Sequence, residues 1–432
     1  MPIVDVAEYR TRKCPNGMLD SYMKYAIYQE SPPDFHLWVL ISMLAAAMGR
    51  QCFVNMGMFS TFPNMYIILV GESALTKKST AIDMGLEPFR DALPDIPQLS
   101  QKMSPEALIH AMKTLCEDET LGRAEAYLES SELANLLGQS KLDDGLIKLL
   151  TEFWDCRKRF TYMTIARGME TVTDICLNII GGSTATWLRS SIPESALEGG
   201  FFSRLILVHR PPKGEKNPCP TMTAEQREAL ENVKHDLQCI RNNMQGEFII
   251  DDDAQQMFNE WYHDFNTPEK AESFMRGYYG RKGAFLQKVA MCLSASYSDD
   301  MRITYDDMSL ALRLLNENEE HTKQMVKYMG TTEQGSKHLH VLNLIRRGIV
   351  RCPPDDTTGL TKADLKAGNY TPIDKKGIRH SDLIRKLSYK FSRDDVMAAV
   401  DSLHDSGDII IKNIPPRGAK AYIWTGAEGI DE

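Results

Sequence analysis

Ile68 to Gly85 reads ILVGESALTKKSTAIDMG. An apolar run that spells a buried strand leads into a short polar loop and then a helix beginning near Ser79, which is the context that gives a phosphate-binding loop its meaning. In such a loop, backbone N–H groups and the helix N-terminus hold phosphates, a lysine neutralises the outer ones, and a hydroxyl ligates Mg²⁺. Two registers fit. With Lys77 as the phosphate lysine the spacing from Gly71 is right, but Thr76 stands for the second glycine and Lys78 for the hydroxyl residue. With Lys78 and Ser79 as the pair, followed by Thr80, the hydroxyl is in place, but Lys77 and Glu72 stand where glycines are usual. The second register is preferred, because an Mg²⁺ ligand is harder to forgo than a flexible turn residue.

Downstream, YLESSE (Tyr127–Glu132) closes a strand. A nucleotide-hydrolysing site needs a carboxylate there to polarise water and a second group to steady the metal. Glu132 is the candidate base and Glu129 the candidate metal neighbour; the competing role for Glu132 is to stabilise the dipole of the helix it opens. The next strand, CLNII, runs into Gly181-Gly182-Ser183-Thr184, where a polar group can reach a terminal phosphate. Asn178, Ser183 and Thr184 qualify and Thr184 ranks first, although a Thr before ATWLRSS also suits an N-cap.

Strands and helices alternate across this region, which predicts an α/β core on a largely parallel sheet. Residues 1–58 read as a helical N-terminal region, 59–215 as the core and 216–330 as a helical subdomain. GTTEQG near 330–335 reads as a linker. Residues 336–427 read as three helices and a hairpin around Pro-Pro-Arg-Gly, the order of a winged helix-turn-helix. The chain of 432 residues is 43% hydrophobic and 25% charged, a globular composition. Its longest apolar stretch, Leu37 to Met48, falls short of the ~30 Å hydrocarbon layer, so no membrane partner is expected. Nine scattered cysteines without a CxxC pair predict a reducing cytoplasm. Charge is segregated: residues 336–427 hold 16 Lys and Arg against 10 Asp and Glu, net +6, which leaves −15 for the rest of a chain of net −9. A basic tail on an acidic body is one footprint of nucleic acid.

The order of these parts resembles the AAA+-like P-loop NTPases of phages and prophages related to the helicase half of primase–helicases, and more distantly it is similar to minichromosome-maintenance helicases. The resemblance rests on FPNMYIILVGESALTKKST, the Ser-Glu-Leu around Glu132, LNIIGGSTATWL and GGFFSRLILVHR. It implies an ATP- and Mg²⁺-dependent ATPase that assembles as a ring, by analogy a hexamer, around single-stranded DNA in the cytoplasm of a bacterial host, alongside a primase or loader. It further implies that Arg204 reaches the γ-phosphate held by a neighbouring subunit. RFTYMTIARGMETVTDI matches a channel-lining hairpin, with Arg167 at its tip and Arg157, Lys158 and Arg159 at its base. Arg281, with Arg276 as rival, would present a second arginine to nucleotide from a helical lid. Glycine is missing from the loop and Ser131 stands where an aspartate is usual, which keeps a nucleotide-binding, non-hydrolysing loader as the alternative; packaging and defence motors share the same parts.

In the C-terminal unit, the third helix offers Asp394, Asp395, Asp401 and Asp405 where a groove-reading helix needs basic and amide groups. Phosphate contact through wing residues Lys412, Arg417 and Lys420 is the expectation instead.

Overall fold

The computed structural model describes residues 11–99, 102–118, 122–138, 144–164, 168–191, 200–213, 216–265, 273–330, 341–342, 344–353, 361, 364, 371–388, 391–405, 408–414 and 419–425. The chain divides into two compact units, Met1–Met325 and Val326–Glu432. The stretches read separately as 1–58 and 59–215, and 216–325 of the third, fall in one unit.

The first unit is mixed α/β. It opens with α1 (Met18–Ala26) and α2 (Pro33–Met48), followed by β1 (Cys52–Asn55), β2 (Ser60–Thr61) and β3 (Tyr66–Val70). Next come α3 (Lys78–Ala92), β4 (Gln98–Leu99), α4 (Pro105–Glu117), β5 (Glu125–Ser130), α5 (Leu133–Leu137) and α6 (Asp144–Trp154). A hairpin of β6 (Arg159–Thr164) and β7 (Gly168–Thr173) precedes β8 (Cys176–Ser183), α7 (Ala185–Ser191) and β9 (Leu205–His209). The main sheet is five-stranded in the order β4-β5-β8-β3-β9, with every neighbouring pair parallel. β3 and β8 are buried along their whole length, as apolar strands covered on both faces must be.

α2 is apolar all round, and from Phe35 to Met48 every side chain but Leu37 is buried. Such a helix belongs inside a core. It packs on α1 and α3 and on α8 (Ala224–Asn243) and α11 (Lys282–Ala295), which come from the segment expected as a separate lid. Between those two lie β10 (Gly246–Ile250), α9 (Asp252–Asp264) and α10 (Ser273–Tyr279), and β11 (Arg302–Ile303) and α12 (Tyr305–Gly330) follow. A second sheet, β11-β10-β1-β2, seals the union: β1 runs parallel to β10 with Cys52 opposite Gly246. The helical reading of 216–330 overlooked both of its short strands, whose partner lies far away in sequence. Asp34, in the first turn of α2, receives a hydrogen bond from Arg210 at 2.9 Å.

Gly49 ends α2 at φ 53°. A Cβ there would stand 1.8 Å from Oε1 of Glu125, a carboxylate 1% exposed and ion-paired with Arg123 and Arg241 at 2.6 and 2.7 Å. Gly49→Ala therefore combines left-handed strain with disruption of a buried ion cluster. We expect it to lower the unfolding free energy by about 3–5 kcal/mol, read as a drop in denaturant midpoint at unchanged m-value; a change under 1 kcal/mol would refute this assignment.

The second unit contains β12 (Ile349–Cys352), β13 (Ile373–Arg379), α13 (His380–Leu387), α14 (Arg393–Asp405) and the hairpin β14 (Ile409–Ile414)–β15 (Ala419–Trp424). The expected succession of helix, helix and hairpin is present over 380–424. β12 and β13 were not anticipated; they extend the hairpin into the antiparallel order β12-β13-β15-β14. Leu383, Leu387, Val396, Val400 and Leu403 from the two helices close over Ile378, Ile409 and Tyr422 of the sheet.

Candidate functional site

Parallel strands place their C-terminal ends at one edge, and ligands of open α/β sheets bind in the crevice outside that edge. Here the edge carries the loop after β3. Gly71 N–H donates to the Ser183 carbonyl at 3.3 Å, joining the loop to the end of β8. Thr76, in the first register's glycine position, is fully buried and its hydroxyl donates to the Glu72 carbonyl at 2.9 Å. It packs so closely on Gly71 that a Cβ there would lie 2.6 Å from its Oγ1. Ala74 and Lys77 adopt left-handed backbone at φ 60° and 49°, conformations that cost nothing only to glycine. Lys77 thus occupies a glycine's conformation and α3 starts at Lys78, an arrangement that favours the Lys78–Ser79 register. Strain of this kind tends to collect at functional loops.

Lys78 Nζ turns back on its own loop, donating to the carbonyls of Gly71 at 2.9 Å and Glu72 at 3.4 Å. Burial lowers its pKa, and the charge of Glu132 opposes that shift. Lys77 points away to Glu30, 3.6 Å distant. Ser79 and Thr80 are exposed in the first turn of α3, where helix N–H groups are unpaired. Glu132 is exposed directly after β5, and although it occupies the N-cap position of α5 its side chain makes no capping hydrogen bond. Gly182 brings the pieces together: a Cβ on it would be 2.5 Å from the Ser131 carbonyl oxygen and 3.7 Å from Lys78 Cβ. The ends of β5 and β8 and the start of α3 meet there because that residue has no side chain.

Other expectations change. Thr184 Oγ1 accepts from Trp187 N–H at 3.1 Å and so caps α7, while remaining half-buried at the same edge. Asn178 is 1% exposed and accepts from Met65 N–H at 3.1 Å near the start of its strand, which removes it from the site. Glu129 pairs with Arg90 in the last turn of α3, about 16 Å along the helix from Ser79 at 1.5 Å per residue; its carboxylate is engaged there and not at the loop.

Two histidines lie by this edge. His209 stands opposite Val70, and His36 bonds the Ser31 hydroxyl at 2.6 Å. Burial pushes both pKa values down to about 4. Between pH 6.5 and 4 the unfolded chain therefore binds the protons that the folded chain refuses, so stability falls as pH falls through that window. At 1.36 kcal/mol per unit the loss is at most about 3 kcal/mol for each group. Denaturant titrations at pH 7 and pH 4.5 should show it, with a shallower fall in His36→Gln; equal slopes would contradict it.

Arg204 sits at the other edge. It precedes Leu205, which pairs with Tyr66 at the start of β3, so about 16 Å of strand separates it from the loop of its own chain. Its guanidinium donates to the Gly200 carbonyl at 3.1 Å and to Asp155 at 3.1 and 3.4 Å, with the Trp154 ring 5.4 Å away. The side chain is 11% exposed, and its Nε is buried without a hydrogen-bond partner among the described residues. Arg281 is beside it: a Cβ on Gly200 would be 3.1 Å from Arg204 Nη1 and 3.9 Å from Arg281 Nη2. Burial and then the neighbouring Arg204 lower the pKa of Arg281, while Asp155 opposes this. Arg281, expected to present a second arginine to nucleotide, stands beside Arg204. α10 packs on the turn Phe202–Arg204 and brings Arg281 to Arg204; its rival Arg276 is exposed on the same helix.

The expected hairpin is present, with Arg159 opposite Thr173 and Thr164 opposite Gly168. Arg157 pairs with Glu152 at 2.8 Å, Lys158 and Arg159 are exposed, and Arg167 lies outside the described residues. Met163 and Met169 face each other near the tip, 72% and 62% exposed. Sequence reading passed over these methionines and Asp155, although Met163 and Met169 flank Arg167 within four residues on either side. In the second unit Lys420 is exposed, Lys412 half-buried and Arg417 outside the described residues. Arg346 lies 4.4 Å over Trp424, with Lys376 at 5.6 Å.

His235, Asp236 and Cys239 on α8 bring ligand atoms within 4.8 Å of one another. Asp236, however, accepts from the N–H groups of Lys13 and Cys14 at 2.7 and 3.2 Å, and His235 bonds the Thr11 carbonyl at 3.0 Å. This cluster fastens residues 11–14 to α8. Among the described residues no helix is long and apolar enough to cross a membrane. No protein-family model matches the chain, and no curated protein matches it in sequence.

Proposed function

We propose that this protein is an ATP- and Mg²⁺-dependent ring ATPase that moves on or unwinds DNA in the replication of a phage or mobile element. The observation that carries this reading is the meeting of the Lys78–Ser79 helix start, the Glu132 segment and the end of β8 at Gly182, on the carboxyl edge of a parallel sheet. β8 standing between β5 and β3 supports the AAA+-like P-loop core, because it delivers Thr184 between the loop and Glu132. In this reading Lys78 leaves the loop carbonyls for the β- and γ-phosphates and the Ser79 hydroxyl takes the metal. Glu132 orients water, and Thr184 contacts the γ-phosphate while keeping its cap. Mg²⁺ supplies charge neutralisation on the phosphates.

Arg204 and Arg281 act on the nucleotide of a neighbouring copy. Two guanidinium groups stand side by side there with one aspartate paired to Arg204, and Arg204 Nε has no hydrogen-bond acceptor among the described residues. The hairpin follows the phosphate backbone of a single strand with Arg157, Lys158, Arg159 and Arg167, and a winged helix at 336–427 adds phosphate contacts through Lys412, Arg417 and Lys420. Strained Lys77 in the loop and Ser131 before Glu132 favour a second reading, a loader that binds nucleotide without hydrolysing it. ATP turnover with and without single-stranded DNA separates the two: Glu132→Gln should bind ATP normally and turn over roughly 100-fold more slowly. Absence of turnover in the wild type, with ATP bound, would leave the loader.

A further inference from the structure

Arg204, with Arg281 beside it, and the root of the hairpin meet in one residue that neither reading has used. Asp155 follows the last residue of α6, and its carboxylate, 35% exposed, holds Arg204 at 3.1 Å. The chain then turns sharply: Cys156 N–H donates to the Phe153 carbonyl at 3.2 Å, and Cys156 is left-handed at φ 49°. Arg50 staples this turn to the returning strand, donating to the carbonyls of Cys156 at 2.5 Å and Ile175 at 2.8 Å and approaching Asp174 at 3.3 Å. Asp174 N–H to the Lys158 carbonyl, 2.9 Å, and Ile175 N–H to that of Arg157, 3.3 Å, carry the pairing outward to the ladder that starts at Arg159 and Thr173. Among the described residues, pairing runs from Thr164 and Gly168 down to Arg157 and Ile175.

We propose that Asp155 is a positioning residue that holds Arg204 back until a nucleic-acid strand engages the hairpin. The ladder β6–β7 is a lever about 20 Å long, with the Arg50 staple as its pivot. A strand pulled across the exposed Met163–Met169 end of the ladder rocks the root, draws the Asp155 carboxylate from Arg204, and leaves two like charges that repel each other and need an outside anion. The phosphoryl group of nucleotide held by an adjacent copy has that chemistry. Arg204 remains flush with the surface, against the Trp154 ring, for as long as Asp155 neutralises it.

This rests on the ATPase reading, and the experiment separates the two. ATP turnover is measured in the full chain with and without oligothymidylate, for wild type, Asp155→Asn, Asp155→Glu and, as blank, Lys78→Ala. Asp155→Asn should raise the DNA-independent kcat about tenfold, the effect of losing one charge-assisted contact, at unchanged KM for ATP. Its stimulation by DNA should fall close to one. Asp155→Glu should recover DNA dependence, which loss of a merely structural contact would not predict. Unchanged stimulation in Asp155→Asn, or an equal loss of turnover with and without DNA, overturns the proposal alone. Wild-type turnover that DNA does not alter also overturns it while leaving the ATPase standing; wild-type turnover no higher than the Lys78→Ala blank brings down both.

Discussion

Lys78→Ala is expected to lower the affinity for ATP by roughly 100-fold, about 3 kcal/mol, and to abolish turnover. The lysine is half-buried, and that burial lowers its pKa. Its ammonium is held by the carbonyls of Gly71 and Glu72, so it is poised over the mouth of the loop. A phosphate entering there exchanges two neutral acceptors for charged ones, and charge-assisted bonds are about twice as strong as neutral ones. Lys77→Ala provides the control. That residue is left-handed and turned toward Glu30, so its removal should cost far less. Equal losses in the two variants, measured by equilibrium binding of a labelled ATP analogue, would reverse the register assignment.

Arg204→Ala is expected to slow turnover by about 1,000-fold, as loss of an arginine finger does, with ATP affinity retained. The arrangement in trans makes a sharper demand. About 16 Å of strand lies between this arginine and the loop of its own chain, so one chain cannot use both. Mixing Arg204→Ala with Lys78→Ala, each inactive alone, should then restore turnover, because an intact loop of the first meets an intact arginine of the second. Mixtures as inactive as the separate variants, under conditions where the chains assemble, would rule out a shared site.

Much of the site was legible in local pattern. An apolar pentad before a glycine and two lysines predicted β3, the loop and α3, since strand burial, turn chemistry and helix start are all short-range. The hairpins at 159–173 and 409–424 were legible for the same reason. Glu129 was misread because periodicity says which face a strand residue occupies but not which cation waits across from it; Arg90 comes from a helix that ends far along the chain. Asn178 was misread because a polar residue in an apolar strand signals function and a buried backbone partner alike.

What the sequence determined alone is the set of local elements and the chemical kinds at their ends: a lysine and a serine at a helix start, a glutamate after one strand, a glycine pair after another. Only the tertiary structure decided that the N-terminal helices and the 216–325 segment form one body, through the pairing of Cys52–Asn55 with Gly246–Ile250. It alone placed Arg281 beside Arg204, and Arg204 on Asp155. The reason is physical: backbone preference and amphipathic period act over a few residues, whereas ion pairing and strand addition depend on which distant surfaces the core brings within a few ångströms.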